Sequence, residues 1–215
     1  MLRRAPPRST GRTGSGRPVI GPAFPRVLDA ARTGAPWALE ALYRELAGPV
    51  TGYLRLHGAA EPDDLASEVF VGVLTGVGGF TGDEAGFRAW VFTIAHRRLA
   101  DSWRRASRRP ALADVDVHDP ATTADLVGGD AEDEALASLG TSRVHDLCAR
   151  LPRDQRAVVL LRVLGDLSVD EVARVLGRTP ASVKALQRRG LLTLSAQCRE
   201  DRATPRGSTA MTETR

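Results

Sequence analysis

Apolar residues recur at steps of three and four along most of this chain, which is the spacing of one face of an α-helix. A first stripe starts at Leu39, and a second opens after Glu61, with Pro62 suited to a first helical turn. Pro49 interrupts the first stripe and predicts a kink or break. No segment sustains the alternation of a strand, so the pattern predicts an all-α protein. The two stripes comprise Leu42, Tyr43, Leu46, Val50, Tyr53 and Leu54, and then Leu65, Ala66, Val69, Phe70, Val73 and Leu74.

A third helix is predicted from about Glu84 to Arg109, after a glycine-rich stretch over 76–86. Its last turns are rich in arginine and include Trp103, while Trp90 lies earlier on its apolar side. Cations that hold phosphates beside aromatic rings that stack on bases are typical of a nucleic-acid surface. A solvated helix with tryptophans in the core explains the same residues. The arginines are Arg97, Arg98, Arg104, Arg105, Arg108 and Arg109.

The C-terminal third shows clear helix start and stop signals. One helix is predicted from Ser142 to Leu151 and another from Pro152 to Gly165. Ser168 and Glu171 have the spacing of a capping box, and Gly177 ends the helix that follows. Thr179 and Pro180 cap and start a last helix that runs through Leu194. Two helices joined by a short glycine-containing turn form a helix-turn-helix.

The second helix of this pair presents a small and basic stripe to solvent if Val183, Leu186 and Leu191 are buried. Such a stripe suits entry into a DNA major groove. Ser182 and Arg189 flank the stripe and can reach phosphates. An ordinary antiparallel helix pair with a solvated basic face is the alternative. The predicted contact set is Thr179, Ala181, Ser182, Lys184, Ala185, Arg188 and Arg189.

Charge divides the 215 residues into segments. The first 25 residues carry five arginines and no acid, without apolar periodicity, and predict a disordered basic tail. Residues 111–140 contain eight acids and no basic residue, and predict a flexible acidic linker. Helical domains are expected over 26–110 and 141–199, with a disordered tail over 200–215. The linker acids are Asp114, Asp116, Asp119, Asp125, Asp130, Glu132, Asp133 and Glu134.

Several function classes are disfavoured by what the sequence lacks. It has no apolar run of membrane-spanning length and no signal-peptide pattern, so we expect no direct membrane insertion. Its two cysteines form no C-x-x-C pair, which favours a reducing cytoplasm. His145 and Cys148 could form half of a zinc site, but no second pair completes it. Without a phosphate loop or a nucleophile motif either, we expect no enzyme, no metal and no cofactor.

Three motifs in this order resemble the extracytoplasmic-function sigma factors of bacterial RNA polymerase. The resemblance covers about 26–109 and 142–194. The motifs are Asp64-Leu-Ala-Ser-Glu-Val-Phe70; Phe80-Thr-Gly-Asp-Glu-Ala-Gly-Phe-Arg-Ala-Trp-Val-Phe-Thr-Ile-Ala95 with the arginines after it; and Leu151-Pro-Arg-Asp-Gln-Arg156 followed by Leu161-Arg162 and by Leu167-Ser-Val-Asp-Glu-Val-Ala173 through Val183-Lys184.

The resemblance implies two helical domains, known in the family as region two and region four. It implies that Asp64, Ser67 and Glu68 dock against the clamp coiled coil of the beta-prime subunit of core RNA polymerase. It also implies that the loop after Phe80 and the helix after it melt the minus-ten element of promoter DNA and capture an unpaired base. The helix from Pro180 would read the minus-thirty-five element, and an anti-sigma factor is a further expected partner. The implied minus-ten contacts are Phe80, Thr81, Arg97, Arg98, Arg104 and Arg105.

The chain departs from the family pattern at Ser67, where Gln is usual, and at Arg97, where Asn is usual. Ala181 and Ala185-Leu186 stand where Gly and Ser-Arg are common, so the resemblance does not extend to the promoter sequence. A stand-alone helix-turn-helix regulator and a helical protein-binding adaptor are the alternatives. We further hypothesise that the linker acids imitate RNA charge in the polymerase channel through which RNA leaves, a merely soluble tether being the alternative.

Overall fold

The structure is a computed structural model that describes residues 20–108 and 141–203. Every regular element in those two ranges is an α-helix or a 3₁₀ helix, which confirms the all-α expectation. The expectations for most of the basic tail, for the acidic linker and its RNA mimicry, and for the chain beyond 203 lie outside the described residues.

Four helices form the N-terminal body. They are α1 (Phe24–Arg32), α2 (Pro36–Leu56), α3 (Pro62–Gly76) and α4 (Glu84–Arg108), with 3₁₀ turns at Gly21–Ala23 and Val77–Gly79. α2 packs on α3, α3 packs on α4, and α1 packs on α2. Their apolar faces meet in a core in which Val50, Tyr53, Leu54, Phe92 and Leu99 are fully buried.

The predicted boundary between a disordered tail and the folded body at residue 25 is wrong. Phe24 is 3% exposed and packs on Phe87, with 5.7 Å between ring centroids. The backbone N–H groups of Ile20 and Gly21 donate to the Glu84 carboxylate over 2.8 and 2.9 Å. Burial of an aromatic ring and satisfaction of two backbone donors therefore order the chain from at least residue 20.

The stripe that begins at Leu39 forms one helix, and α2 continues across Pro49 instead of ending there. A proline costs an interior helix about 3 kcal/mol, and burial of Leu46, Val50 and the residues of the next turn outweighs that cost. Tyr43 and Leu74, which the pattern placed on buried faces, are 53% and 47% exposed. Both lie at the margin of their stripe, where a small rotation of the helix decides exposure.

The C-terminal body also has four helices: α5 over residues 141–149, α6 (Arg153–Val163), α7 (Val169–Leu176) and α8 (Pro180–Ala203). The capping box is confirmed, because Ser168 accepts from the Glu171 N–H and the Glu171 carboxylate accepts from the Ser168 N–H. Gly177 ends α7 in the left-handed conformation, at φ 63°. Thr179 Oγ1 accepts from the Ser182 N–H at 3.2 Å and caps α8.

Two features of α8 differ from the prediction. Leu191 is 48% exposed, and Gly190 is the buried residue that continues the face of Val183 and Leu186. A Cβ at Gly190 would lie 2.9 Å from Val159 Cγ2, so the missing side chain lets α8 approach α6 closely. The helix also continues to Ala203, into the segment predicted as a tail, and Gln197 is buried near its end.

The two bodies pack against each other through α4 and α7. The side chain of Arg88 on α4 is 7% exposed and lies 3.2 Å from the Asp166 carboxylate, which belongs to the turn before α7. The guanidinium of Arg153 lies 4.7 Å from the ring centroid of Trp103. The two bodies, which residues 109–140 separate in the sequence, are thus in contact.

Candidate functional site

The predicted polymerase-facing residues lie together on the exposed side of α3. Asp64, Ser67 and Glu68 are all exposed. Glu68 pairs with Arg98 of α4 at 3.5 Å, and Ser67 Oγ donates to the Asp63 carbonyl at 3.0 Å. Asp64 has no ion-pair partner among the residues that the structure describes, so its carboxylate is available to a basic partner.

The loop that carries Phe80 and Thr81 lies at the N-terminal end of α4. Phe80 is half-buried, with its ring centroid 5.2 Å from that of Phe87 and 5.3 Å from that of Trp90. Thr81 is exposed. The aromatic cluster fixes the base of the loop and leaves its tip in solvent.

The predicted minus-ten arginines form two pairs spaced seven residues apart on α4, Arg97 with Arg104 and Arg98 with Arg105. Residues seven apart lie on nearly the same face, about 10 Å along the axis. Arg97, Arg104 and Arg105 are exposed, and Arg98 is half-buried beside Glu68. Arg104 pairs with Asp101 within the same helix. The arginines therefore form a basic strip that is suited to a phosphate backbone.

The two tryptophan rings pack against protein groups and are not presented for stacking on bases, as the nucleic-acid interpretation required. Trp90 packs against Phe87 and against Gly76, where any side chain would clash with the indole. Trp103 lies between His57, at 5.8 Å, and Arg153. Both indoles belong to packed parts of the molecule, which agrees with the alternative of core tryptophans.

The predicted reader residues of α8 lie on one side of the helix-turn-helix. All seven are exposed except Ser182, which is half-buried. Lys184 and Arg188 have no acidic partner within the described ranges, while Arg189 Nε donates to the Ala185 carbonyl at 3.3 Å. The turn itself is held by Arg178, which pairs with Asp154 of α6 at 2.6 Å. Two cations one turn apart are thus presented on a rigid helix.

The strongly shifted pKa values belong to buried packing residues. Burial, with Arg156 and other cations nearby, lowers the pKa of His57 to about 3. Burial lowers the pKa of His96, which hydrogen-bonds to Tyr53 at 2.8 Å, and raises that of Tyr53. Within 20–108 and 141–203, no group of three or more His, Cys, Asp or Glu side chains could hold a metal, and no helix could span a membrane.

These surfaces define a class of protein: a two-body helical protein with a helix-turn-helix on one body and a basic strip beside an aromatic loop on the other. Residues 40–109 match the family description "Sigma-70 region 2", and residues 141–194 match "Sigma-70, region 4".

Relatives of known class are similar over much of the chain. The ECF RNA polymerase sigma factor BldN of Streptomyces coelicolor is 33% identical over 177 residues, which are 81% of this chain and 66% of that protein. The ECF RNA polymerase sigma factor ShbA of Streptomyces griseus is 36% identical over 135 residues, 62% of this chain and 70% of ShbA. The chain belongs to the extracytoplasmic-function sigma factors.

A solved structure shares the fold. The structure of CnrH in complex with the cytosolic domain of CnrY matches 83% of this chain and 99% of that chain. The TM-score is 0.59 at 23% sequence identity. The arrangement of helices described above is therefore a known one.

Proposed function

We propose that this protein binds core RNA polymerase in the cytoplasm and directs it to a set of promoters, with no reaction of its own. In this proposal Asp64, Ser67 and Glu68 dock on the polymerase clamp. The loop at Phe80 and the arginine strip of α4 act on the minus-ten element, and α8 reads the minus-thirty-five element.

The observation that carries the proposal is the presence of two separate exposed basic surfaces, one on α4 and one on α8, together with an exposed acidic face on α3. A stand-alone regulator would need only α7 and α8. The exposed acids of α3 and the basic strip of α4 would have no role in it. The solved neighbour CnrH is in complex with the cytosolic domain of CnrY. On that precedent the proposal includes an anti-sigma factor among the partners.

A binding experiment separates the proposal from a stand-alone regulator. The labelled full-length chain is titrated with purified core RNA polymerase and, separately, with promoter DNA alone. The proposal predicts tight binding to core and weak binding to DNA without polymerase. Tight, sequence-specific binding to DNA alone, without affinity for core, would support the regulator instead.

The same titration tests the face of α3. Asp64→Lys together with Glu68→Lys removes two acids and adds repulsion towards a basic partner, so affinity for core should fall at least tenfold. Glu40→Lys on α2 with Asp170→Lys on α7, two exposed acids away from α3, makes the same charge change as a matched control. Equal affinities for the wild type and the α3 variant would remove this face from the interface.

A further inference from the structure

The connection Phe80–Asp83 between the second 3₁₀ turn and α4 is held at both ends. At its end, Asp83 Oδ1 accepts from the Gly86 N–H at 2.8 Å and so caps the first turn of α4. At its start, the Phe80 ring is packed, and the Phe80 N–H donates to the Val77 carbonyl at 3.1 Å. Thr81 between these anchors is exposed. The direction in which Thr81 projects into solvent therefore depends on the orientation of the Phe80–Thr81 peptide.

That peptide is oriented by a residue from another helix. Arg32, in the last turn of α1, donates to the Phe80 carbonyl oxygen from Nε at 3.2 Å and from Nη2 at 2.6 Å. Its remaining Nη1 donates to Asp29 Oδ1 at 2.8 Å. One guanidinium therefore joins α1 to the carbonyl between Phe80 and Thr81, across 48 positions of sequence.

The chemistry of the contact favours arginine specifically. A planar guanidinium with two donors on one oxygen fixes the carbonyl direction, and a third donor on Asp29 fixes the guanidinium plane. The side chain of Arg32 is 31% exposed, so water competes for only part of it. A lysine ammonium would reach the carbonyl as a single point donor and would leave the direction less defined.

We propose that Arg32 is a positioning residue that sets the selectivity of the loop for the minus-ten element. The inference rests on the proposed function, in which Phe80 and Thr81 contact that element. Arg32 itself touches no DNA: it holds the loop in the one orientation that discriminates among bases. Asp29 supports it from the same helix.

The test is a selectivity profile with the full-length chain. Saturating wild type or variant is mixed with core RNA polymerase and a promoter library in which the minus-ten bases are randomised and the minus-thirty-five element is constant. In Arg32→Gln, the ratio of transcripts from preferred to single-substituted minus-ten sequences should fall about five- to tenfold, within the range that one base contact contributes. Arg32→Lys should lie between Arg32→Gln and the wild type.

Arg26→Gln is the matched control, because Arg26 lies on α1 over the Trp37 ring at 6.0 Å and does not contact the loop. It should keep the wild-type ratios. Unchanged ratios in both Arg32 variants, or an equal loss on every minus-ten sequence, would overturn the inference. If Arg32→Gln does not fold, the ratios of Arg32→Lys decide alone. A wild-type chain that starts no promoter-directed transcripts would instead overturn the proposed function, and the inference with it.

Discussion

The imidazole ring of His57 lies in an unfavourable environment for a polar group. Both of its ring nitrogens are buried without a hydrogen-bond partner, and the residue is 4% exposed. It packs edge-on against Tyr53 at 4.8 Å and near Trp103. A charged imidazole would add repulsion from Arg156 and Arg153 to the cost of burial, so the folded protein keeps the ring neutral.

This gives a pH dependence of stability with a defined sign. The pKa of His57 is about 3 when folded and about 6.5 when unfolded, so protons bind the unfolded chain first. The contribution of His57 is complete above pH 6.5 and is lost as the pH falls. Between pH 7.5 and 5.5 the free energy of unfolding should drop by about 1.4 kcal/mol from this residue alone. Urea unfolding at the two pH values measures the drop.

His57→Phe preserves the ring packing and removes the titration, so its drop between the two pH values should be smaller by that amount. His96, whose pKa is also lowered, accounts for a remaining dependence in both proteins. The same drop in the wild type and in His57→Phe would contradict the assignment.

Lys184 and Arg188, two exposed cations on α8, are the residues predicted to contact bases of the minus-thirty-five element. Lys184→Ala or Arg188→Ala should weaken use of preferred minus-thirty-five sequences by about 1 to 3 kcal/mol if the contact is bidentate to a base. Transcription from a library randomised at that element measures the loss. Arg199→Ala, also exposed on α8, is the control and should change nothing. An equal loss on all upstream sequences would show phosphate contacts instead of base contacts.

Among the helices, the starts and ends that depend on local chemistry were the features best predicted from the sequence. The capping box at Ser168 and the stop at Gly177 depend on neighbours within four residues, and both form as predicted. α1 was missed although Phe24, Val27, Leu28 and Ala31 have helical spacing, because the surrounding Gly and Pro indicated a tail. The buried face of α8 was misjudged because a glycine gives no apolar signal, and only its distance to α6 reveals its role.

The close approach at Gly190 makes a stability prediction. Gly190→Ala places a Cβ 2.9 Å from Val159 Cγ2 and forces α8 away from α6. Gly72→Ala, in α3, places its Cβ at an ordinary 3.5 Å from Ile94 Cγ2 and gains the same helix propensity. Urea unfolding should show Gly190→Ala less stable than Gly72→Ala by about 1 to 3 kcal/mol. Equal stabilities would mean that α8 and α6 separate without cost.

In the whole molecule, the contact between the two bodies could not be predicted from the sequence. Arg88 and Asp166 are 78 positions apart, and each looks like an ordinary surface residue in its own segment. A folded body of about 150 residues is only about 40 Å across. Promoter elements about 25 base pairs apart are separated by about 85 Å. The proposed function, in which each body binds one element, therefore requires the bodies to separate before both elements are bound at once.

Asp166→Lys tests this contact. The change places a cation beside the buried Arg88, so the bodies should part and the radius of gyration from small-angle X-ray scattering should increase. Asp166 has φ 48°, which asparagine tolerates, so Asp166→Asn removes the charge without backbone strain. This variant loses the attraction to Arg88 without adding repulsion, so its radius of gyration should increase less than that of Asp166→Lys. Asp170→Lys, exposed on α7, is the charge control and should leave the radius unchanged. An unchanged radius in Asp166→Lys would show that the ion pair does not hold the bodies together.

As a sigma factor, this chain should make core RNA polymerase start transcription at promoters of its own. Run-off transcription with purified core polymerase, the purified chain freed of co-purifying inhibitors, and a library of promoter fragments tests it directly. We expect transcripts that core alone does not make, from promoters that share one minus-ten and one minus-thirty-five sequence. A transcript profile identical to that of core alone would contradict it.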